Sequence, residues 1–197
     1  NVSPESLVYP YENEIKKVIY YQDKLQKIDM NSKEIVLKTQ EIIKYDYLLL
    51  AIGSFPRLFI NGTNYFMNVE EAQELRRKVI SLLIDGKEIH VYVIGGGYTG
   101  IECITALKSL CMKYGDKEAN FHLIEKGKEI LNGLNGKIRD KILKELENLH
   151  IQIHTSSSLE IRDKKILFQE QEIQNSVVVS AAGFKGGGAF VEGFPET

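Results

Sequence analysis

Cysteine, proline and tryptophan are scarce in this sequence, and no apolar run is long enough to span a bilayer. Two of the 197 residues are cysteine, four are proline and none is tryptophan. Cys103 and Cys111 lie eight residues apart, about two turns along a predicted helix, which is too far for a disulfide within that helix. The sequence has no Cys-x-x-Cys motif either. We therefore expect both thiols to be reduced and buried, without a redox role.

A surplus of charge of one sign is also missing. The 25 lysines and arginines nearly balance the 27 aspartates and glutamates, which leaves a net charge of -2. This near balance lacks the surplus of basic residues that would indicate nucleic-acid binding. The four histidines show no metal-ligand spacing, so no metal site is predicted. With 43% hydrophobic and 26% charged residues, the composition is that of a globular protein with a packed core.

Glycine is concentrated between a predicted strand and a predicted helix. A β-branched run over residues 89–94 stops at Gly-Gly-Gly-Tyr-Thr-Gly, after which apolar residues recur at helical spacing. Gly95, Gly97 and Gly100 fit G-x-G-x-x-G in the strand-turn-helix context that the motif requires. Gly95 would permit the tight turn, Gly97 would let the backbone approach a pyrophosphate, and Gly100 would let helix and strand pack closely. The alternative is a glycine-rich loop of another α/β protein.

The whole turn is the predicted binding site for the cofactor phosphates, because the N–H groups and positive dipole end of the new helix would face them. The predicted phosphate-binding residues are Gly95, Gly96, Gly97, Tyr98, Thr99 and Gly100.

A second predicted strand, residues 119–125, ends in an acid. Glu125 would accept hydrogen bonds from the adenosine ribose hydroxyls, and its charge would disfavour a 2′-phosphate, which favours NAD(H) over NADP. Lys126 is predicted to contact the cofactor, and together with Lys128 it keeps NADP open. An acid at an exposed strand end can also have no role in binding.

The remaining pattern is that of alternating short strands and amphipathic helices. Residues 1–65 favour strands, with an antiparallel meander and then a strand covered on both faces at 45–54. The predicted meander strands are 17–21, 24–28 and 34–37. The predicted helices are 69–83 and 137–149, and further strands are 150–154, 165–168 and 177–183, with a hairpin turn at 162–164.

Several of these motifs, in this order, resemble two-dinucleotide flavoprotein reductases of the FAD/NAD(P)-dependent pyridine nucleotide-disulfide oxidoreductase superfamily. The meander leads to Ala-Ile-Gly-Ser at 51–54, where the family has Ala-Thr-Gly-Ser. The helix from Asn68 resembles the linker between domains, and Ile89–Glu102 resembles the NAD(P)H fingerprint. The strand Val177–Gly183 resembles the return into the flavin domain, and its Ala-Ala-Gly ending resembles the type II NADH dehydrogenase and sulfide:quinone reductase branch.

The resemblance implies an α/β fold, with a Rossmann-like parallel sheet, a β-meander crossover and part of the β-meander of an FAD domain. The implied division is a partial FAD-binding domain at 1–66, an NAD(P)H-binding domain at 67–182 and a return segment at 183–197. The implied activity is hydride transfer from NADH to FAD and then to a quinone or similar acceptor.

The resemblance also implies roles for individual residues. Ala51 and Gly53, and likewise Ala182 and Gly183, match places where the family brings backbone close to the flavin. Glu102 matches a glutamate near the nicotinamide, where it would orient the carboxamide. We expect Glu102 on the first helical turn, where the helix dipole alone could also favour an acid.

No FAD fingerprint precedes the meander, so we expect a piece of a longer flavoprotein. Its implied partners are the rest of the FAD domain and a C-terminal domain, and its implied place is the cytoplasm, peripheral at the inner face of a membrane. Alone, the chain should bind a nicotinamide nucleotide, hold no FAD and self-associate through residues 1–65. A non-catalytic dinucleotide sensor and an apoptosis-inducing-factor-like interaction flavoprotein are the alternatives.

Overall fold

The computed structural model describes residues 17–57, 62–85, 88–115, 119–162, 165–173 and 176–194. The chain divides into two compact units, one formed by Asn1–Phe55 with Lys185–Thr197 and the other by Pro56–Phe184. In chain order the strands are β1 (Leu25–Asp29), β2 (Glu34–Leu37), β3 (Ile42–Lys44), β4 (Ser54–Pro56), β5 (Ile89–Ile94), β6 (Ala119–Ile124), β7 (Ile151–His154), β8 (Glu160–Arg162), β9 (Lys165–Phe168), β10 (Gln171–Glu172), β11 (Ser176–Ser180) and β12 (Phe184–Gly186). The helices are α1 (Val69–Ile84), α2 (Tyr98–Lys113), α3 (Gly136–Asn148) and a 3₁₀ turn at Gly187–Phe190.

The smaller unit contains an antiparallel meander of β1, β2 and β3, as the sequence predicts, but with a different membership. The third strand is β3, whereas the strand predicted at residues 17–21 is wrong. On its other side β1 is hydrogen-bonded to Glu192: the Ile28 N–H donates to the Glu192 carbonyl at 2.8 Å. Because Glu192 takes that position, residues 17–21 have no ladder to join, and Ile19 is 80% exposed.

The strand predicted at residues 45–54 is also wrong, since only Ser54–Pro56 is extended and paired. Tyr47 is 96% exposed and Leu49 is 90% exposed. A strand needs neighbours for its backbone and cover for its apolar faces. The Tyr45 N–H donates to the Lys33 carbonyl and the Gly53 carbonyl accepts from Gly187, but no strand of the described residues pairs with the segment between them. Self-association through residues 1–65 stays a prediction.

The larger unit is built on a parallel sheet with the strand order β11-β5-β6-β7. Alternate residues of its central strands are buried on opposite faces, which explains their nearly continuous apolar sequence. On one face Val91, Val93 and Phe121 share a core with the buried sides of α1, α2 and α3. The sequence predicts α1 and α3 to within one residue at each end.

The opposite face of the sheet is covered by strands instead of helices. A small antiparallel sheet of β8, β9 and β10 packs Phe168 against Tyr92, Ile124 and Val178. This β-meander lies between β7 and β11 in the chain, so the predicted Rossmann-like sheet with a β-meander crossover is confirmed. The hairpin of β8 and β9 is confirmed as well, although residues 163 and 164 of its predicted turn lie outside the described residues.

Three histidines stack across this second face, one each from β5, β6 and β7. Nδ1 of His90 lies 3.4 Å from Nε2 of His122, and Nδ1 of His122 lies 3.2 Å from Nε2 of His154. A neutral imidazole has one donor and one acceptor, so His122 can satisfy both contacts without a charge. Burial and the two neighbouring imidazoles lower the pKa of His122 to about 4, and burial also lowers the pKa of His154.

No helix among the described ranges combines the length and the apolar character that crossing a membrane requires.

The histidine stack predicts that acid weakens the fold. Since the pKa of His122 is about 4 in the folded chain against an ordinary 6.5, the unfolded chain binds more protons between these values. The free energy of unfolding should therefore be highest above pH 6.5 and should fall by up to about 3 kcal/mol as the pH drops toward 4. Urea unfolding across this range measures the slope.

His122→Gln removes the titrating ring and should flatten that slope, while Tyr92 and Glu88, which flank the stack, stay in place. His150→Gln, which changes an exposed histidine outside the stack, is the control. Parallel stability profiles for the His122 variant and the unaltered protein would show that the stack is not the source of the acid sensitivity.

Candidate functional site

The glycine turn between β5 and α2 brings three backbone segments into contact. Gly95 has a φ of +108°, and a Cβ added to it would strike the carbonyl of Ala181 at the end of β11. A Cβ on Gly100 would strike the carbonyl of Gly95. Only glycine permits both approaches, so α2 can start directly at the end of β5.

Gly97 has a different environment from its neighbours. It is the N-cap of α2 and, as a glycine, provides no side chain to accept from the first N–H groups of the helix. A Cβ added to Gly97 would meet no atom within 4 Å. The N-terminus of α2 therefore faces open space, as a bound phosphate requires.

Glu125 lies at the end of β6, beside this turn. One carboxylate oxygen accepts from the Gly96 N–H at 2.7 Å, and the other accepts from the Gly127 N–H at 2.6 Å. The Glu125 N–H donates in turn to the carbonyl of His154 at 2.8 Å, at the end of β7. Each carboxylate oxygen has a further lone pair, so the group can still accept from a ligand hydroxyl.

A cavity of about 630 Å³ lies between the turn and the loop after β6. The residues that line it are Gly96, Gly97, Tyr98, Glu125, Gly127, Lys128, Glu129, Leu131 and Asn132. Four of the residues predicted to bind the nicotinamide nucleotide therefore line one cavity: Gly96, Gly97, Tyr98 and Glu125. Four others do not line it: Gly95, Thr99, Gly100 and the exposed Lys126.

The sequence prediction missed the second wall of the cavity, which is formed by the loop from Gly127 to Asn132. This loop is held against the turn because the Leu131 N–H donates to the Gly96 carbonyl at 2.8 Å. Ile130 packs so close to Gly96 that a Cβ there would lie 2.7 Å from its Cγ2. Glu129 forms an ion pair with Arg139 of α3. The tight Glu-x-Gly after the second strand was the one available signal for this wall.

Glu102 is not on the first turn of α2, and that expectation is wrong. The helix begins at Tyr98, so Glu102 is its fifth residue and the first turn has no acid. The dipole effect is confined to the first turn, so it does not account for an acid here. The side chain is exposed, and its proposed nicotinamide role stays a prediction.

The four residues predicted near the flavin do not line the cavity. Gly53 has a φ of +71°, and its carbonyl accepts from Gly187 at 2.8 Å. Gly183 has a φ of +87°. A Cβ added to Gly95 would lie 3.1 Å from the backbone nitrogen of Ala182, so Ala182 lies next to the glycine turn. The flavin roles of these residues and of Ala51 stay predictions.

Thiol and metal chemistry find no support in the described part of the chain. Burial raises the pKa of Cys103 to about 12, which keeps this thiol protonated and unreactive. No group of three histidine, cysteine or acidic side chains among the described residues is placed to hold a metal ion.

A parallel sheet, a glycine turn at the N-terminus of a helix and an acid at the end of the next strand together define a dinucleotide-binding domain. The sequence matches the pyridine nucleotide-disulphide oxidoreductase family over residues 5–192, and the chain belongs to that family of oxidoreductases.

Similar proteins agree with this assignment. The chain is 28% identical to a type II NADH:quinone oxidoreductase of Staphylococcus haemolyticus, over 96% of this chain and 54% of the relative. The structure of NDH2 from Plasmodium falciparum in complex with NADH is similar with a TM-score of 0.68 and 22% identity, over 85% of this chain and 41% of that one. The NADH-bound water-forming NADH oxidase of Lactobacillus brevis has a TM-score of 0.70 and 17% identity, over 96% and 44%. The chain spans about half the length of the curated relatives that it matches.

Gly97→Val should weaken NADH binding at least about tenfold, or about 1.4 kcal/mol, because the branched side chain would fill the space open to the phosphates. The fold should survive, since Gly97 has a φ of -80° and an unobstructed Cβ position. Calorimetric titration with NADH, on protein with native circular dichroism, measures the loss.

The control is Gly186→Val, at a residue with a φ of -57° that also has open space at its Cβ position and does not line the cavity. It should bind NADH like the unaltered protein. If the folded Gly97 variant keeps full affinity, the phosphates do not bind at this turn.

Proposed function

We propose that this chain is the NADH-binding part of an FAD-dependent oxidoreductase that passes hydride from NADH to FAD and on to a quinone. One observation carries the proposal: the N-terminus of α2, which has no capping side chain, and the carboxylate of Glu125 line the same cavity. These two groups match the two polar parts of the adenine dinucleotide, the pyrophosphate and the ribose diol.

The residues of the chain would bind and orient the nucleotide, while NADH and FAD supply the hydride chemistry when bound. The first N–H groups of α2 would donate to the pyrophosphate, which Gly97 leaves room to approach. Glu125 is already held by the N–H groups of Gly96 and Gly127, so its carboxylate meets the ribose hydroxyls without a loss of side-chain freedom.

The proposed flavin and quinone partners rest on the relatives. The Staphylococcus haemolyticus relative is named a type II NADH:quinone oxidoreductase, and a Synechocystis relative 32% identical over 128 residues is named a demethylphylloquinone reductase. Both names describe reduction of a quinone. We propose the same class of acceptor for the full protein, with the remaining flavin-binding residues supplied from outside this chain.

NADH should bind at least about tenfold more tightly than NADPH, a difference of about 1.4 kcal/mol, because Glu125 would face the additional phosphate. Glu125→Gln should narrow this gap, since the amide keeps one acceptor oxygen and loses the charge. Competition titrations with both nucleotides measure the two affinities.

The matched control is Glu145→Gln, which removes the same charge from an exposed part of α3 and should leave the gap unchanged. Equal affinities for NADH and NADPH in the unaltered protein would remove Glu125 from the ribose site. Lys126 and Lys128 would then become candidates for binding the phosphate.

The whole reaction is tested on the protein encoded by the complete gene. The purified protein should be yellow, with a flavin absorbance band at about 450 nm, and should oxidise NADH in the presence of a soluble quinone. Gly97→Val in that protein should keep the flavin colour and lose NADH oxidation. A colourless protein that binds NADH would favour a dinucleotide sensor over an enzyme.

A further inference from the structure

One residue of the cavity wall, Glu129, is paired with a cationic side chain, that of Arg139. Arg139 is the fourth residue of α3, and its guanidinium forms an ion pair with Glu129. Glu129 lines the cavity, whereas Arg139 does not, so the guanidinium contacts a residue of the cavity wall. The Arg139 side chain is 24% exposed and that of Glu129 is 44% exposed, so both members of the pair are partly accessible to solvent.

The surroundings of Arg139 favour a negative partner. The first four residues of α3 include Lys137 and Arg139 and contain no acid, although this end of the helix carries the positive end of its dipole. Two cations at a helix N-terminus repel that dipole. Glu129 is the acid that compensates Arg139, and among the described residues no other acid forms an ion pair with this guanidinium. Removal of Glu129 would therefore leave Arg139 without its carboxylate partner.

A guanidinium without a carboxylate partner is a strong binder of phosphate, because its planar set of donors matches phosphate oxygens two at a time. The additional phosphate of NADPH is attached to the ribose that we place at Glu125, and Glu125 and Glu129 line the same cavity. With both acids in place, Glu129 and Arg139 neutralise each other, and the other charged side chains of the cavity wall are Glu125 and Lys128. No unpaired guanidinium is then left to offset the two further negative charges of a 2′-phosphate against Glu125.

We propose that Glu129 is a second determinant of the preference for NADH: by pairing with Arg139 it occupies the guanidinium that would otherwise bind a 2′-phosphate. This inference rests on the proposed function, since it assumes that the adenosine end of the nucleotide binds in this cavity. It differs from the role of Glu125, which acts on the ribose directly.

The test compares four proteins in a double-mutant cycle: the unaltered chain, Glu129→Gln, Arg139→Gln and the double variant. The ligands are 5′-AMP and 2′,5′-ADP, which differ only in the 2′-phosphate. Calorimetry or ligand-observed magnetic resonance gives the ratio of the two dissociation constants for each protein. Circular dichroism and the thermal midpoint establish that every variant is folded.

Glu129→Gln should shift the ratio of dissociation constants toward 2′,5′-ADP by at least about fivefold. Most of this shift should disappear in 0.5 M salt, where the Debye length is on the order of 4 Å, because the charge contact is close to solvent. Arg139→Gln in the same protein should abolish the shift. Glu145→Gln, with the same loss of charge elsewhere on α3, should leave the ratio unchanged.

A ratio within twofold of the unaltered value in folded Glu129→Gln would overturn the inference, and so would a shift that survives in the double variant. Failure of the proposed function has a different signature, because neither nucleotide would then bind the unaltered protein. That result would overturn the inference together with the function on which it rests.

Discussion

The close approach of three backbone segments at Gly95, Gly100 and Ala181 is the contact on which the site depends. A side chain at either glycine would collide with a main-chain carbonyl, and carbonyls of a sheet and a turn cannot move aside as side chains can. The approach lets α2 begin immediately after β5, with its N-terminus at the carboxyl edge of the sheet. Glu125 follows β6 at the same edge, where its N–H donates to the carbonyl of His154 at the end of β7, so the parallel sheet brings Glu125 to the cavity beside the N-terminus of α2.

Helices cover one face of that sheet and the β-meander covers the other, and the side chains buried on the two faces differ in kind. The helices bury an apolar core on one face, where Val91, Val93 and Phe121 are fully enclosed. The β-meander covers a face that contains a row of three imidazoles. Neutral rings satisfy one another there, but two adjacent protonated rings would place like charges together in a partly buried layer. The acid sensitivity that we expect of the fold would therefore arise on the face away from the helices.

The sequence predicted the features that depend on local geometry. Gly95, Gly97 and Gly100 follow from the chemistry of a tight turn, and the helices follow from apolar periodicity. It failed where a segment depends on partners elsewhere: residues 46–52 are apolar enough for a strand, yet no strand among the described residues pairs with them. Glu102 was placed one turn too early because the helix was counted from Gly100, whereas Gly97 already caps it. The wall from Gly127 to Asn132 has no periodicity, so the Glu-x-Gly at its start indicates a turn but not the position of the residues that follow.

The charges of the site also give a direction to the nucleotide. The N-terminus of α2 has no acid in its first turn, so its partial positive charge is left for a pyrophosphate. Glu125 lies beside that N-terminus and keeps lone pairs to which the ribose diol of the proposed ligand would donate, while its charge would repel an additional phosphate. Had Glu102 been in the first turn, a carboxylate would have competed for the same N–H groups and weakened this contrast. In the proposed function, a dinucleotide with its phosphates on α2 would place its adenosine ribose at Glu125, and its nicotinamide end would then point away from the loop after β6.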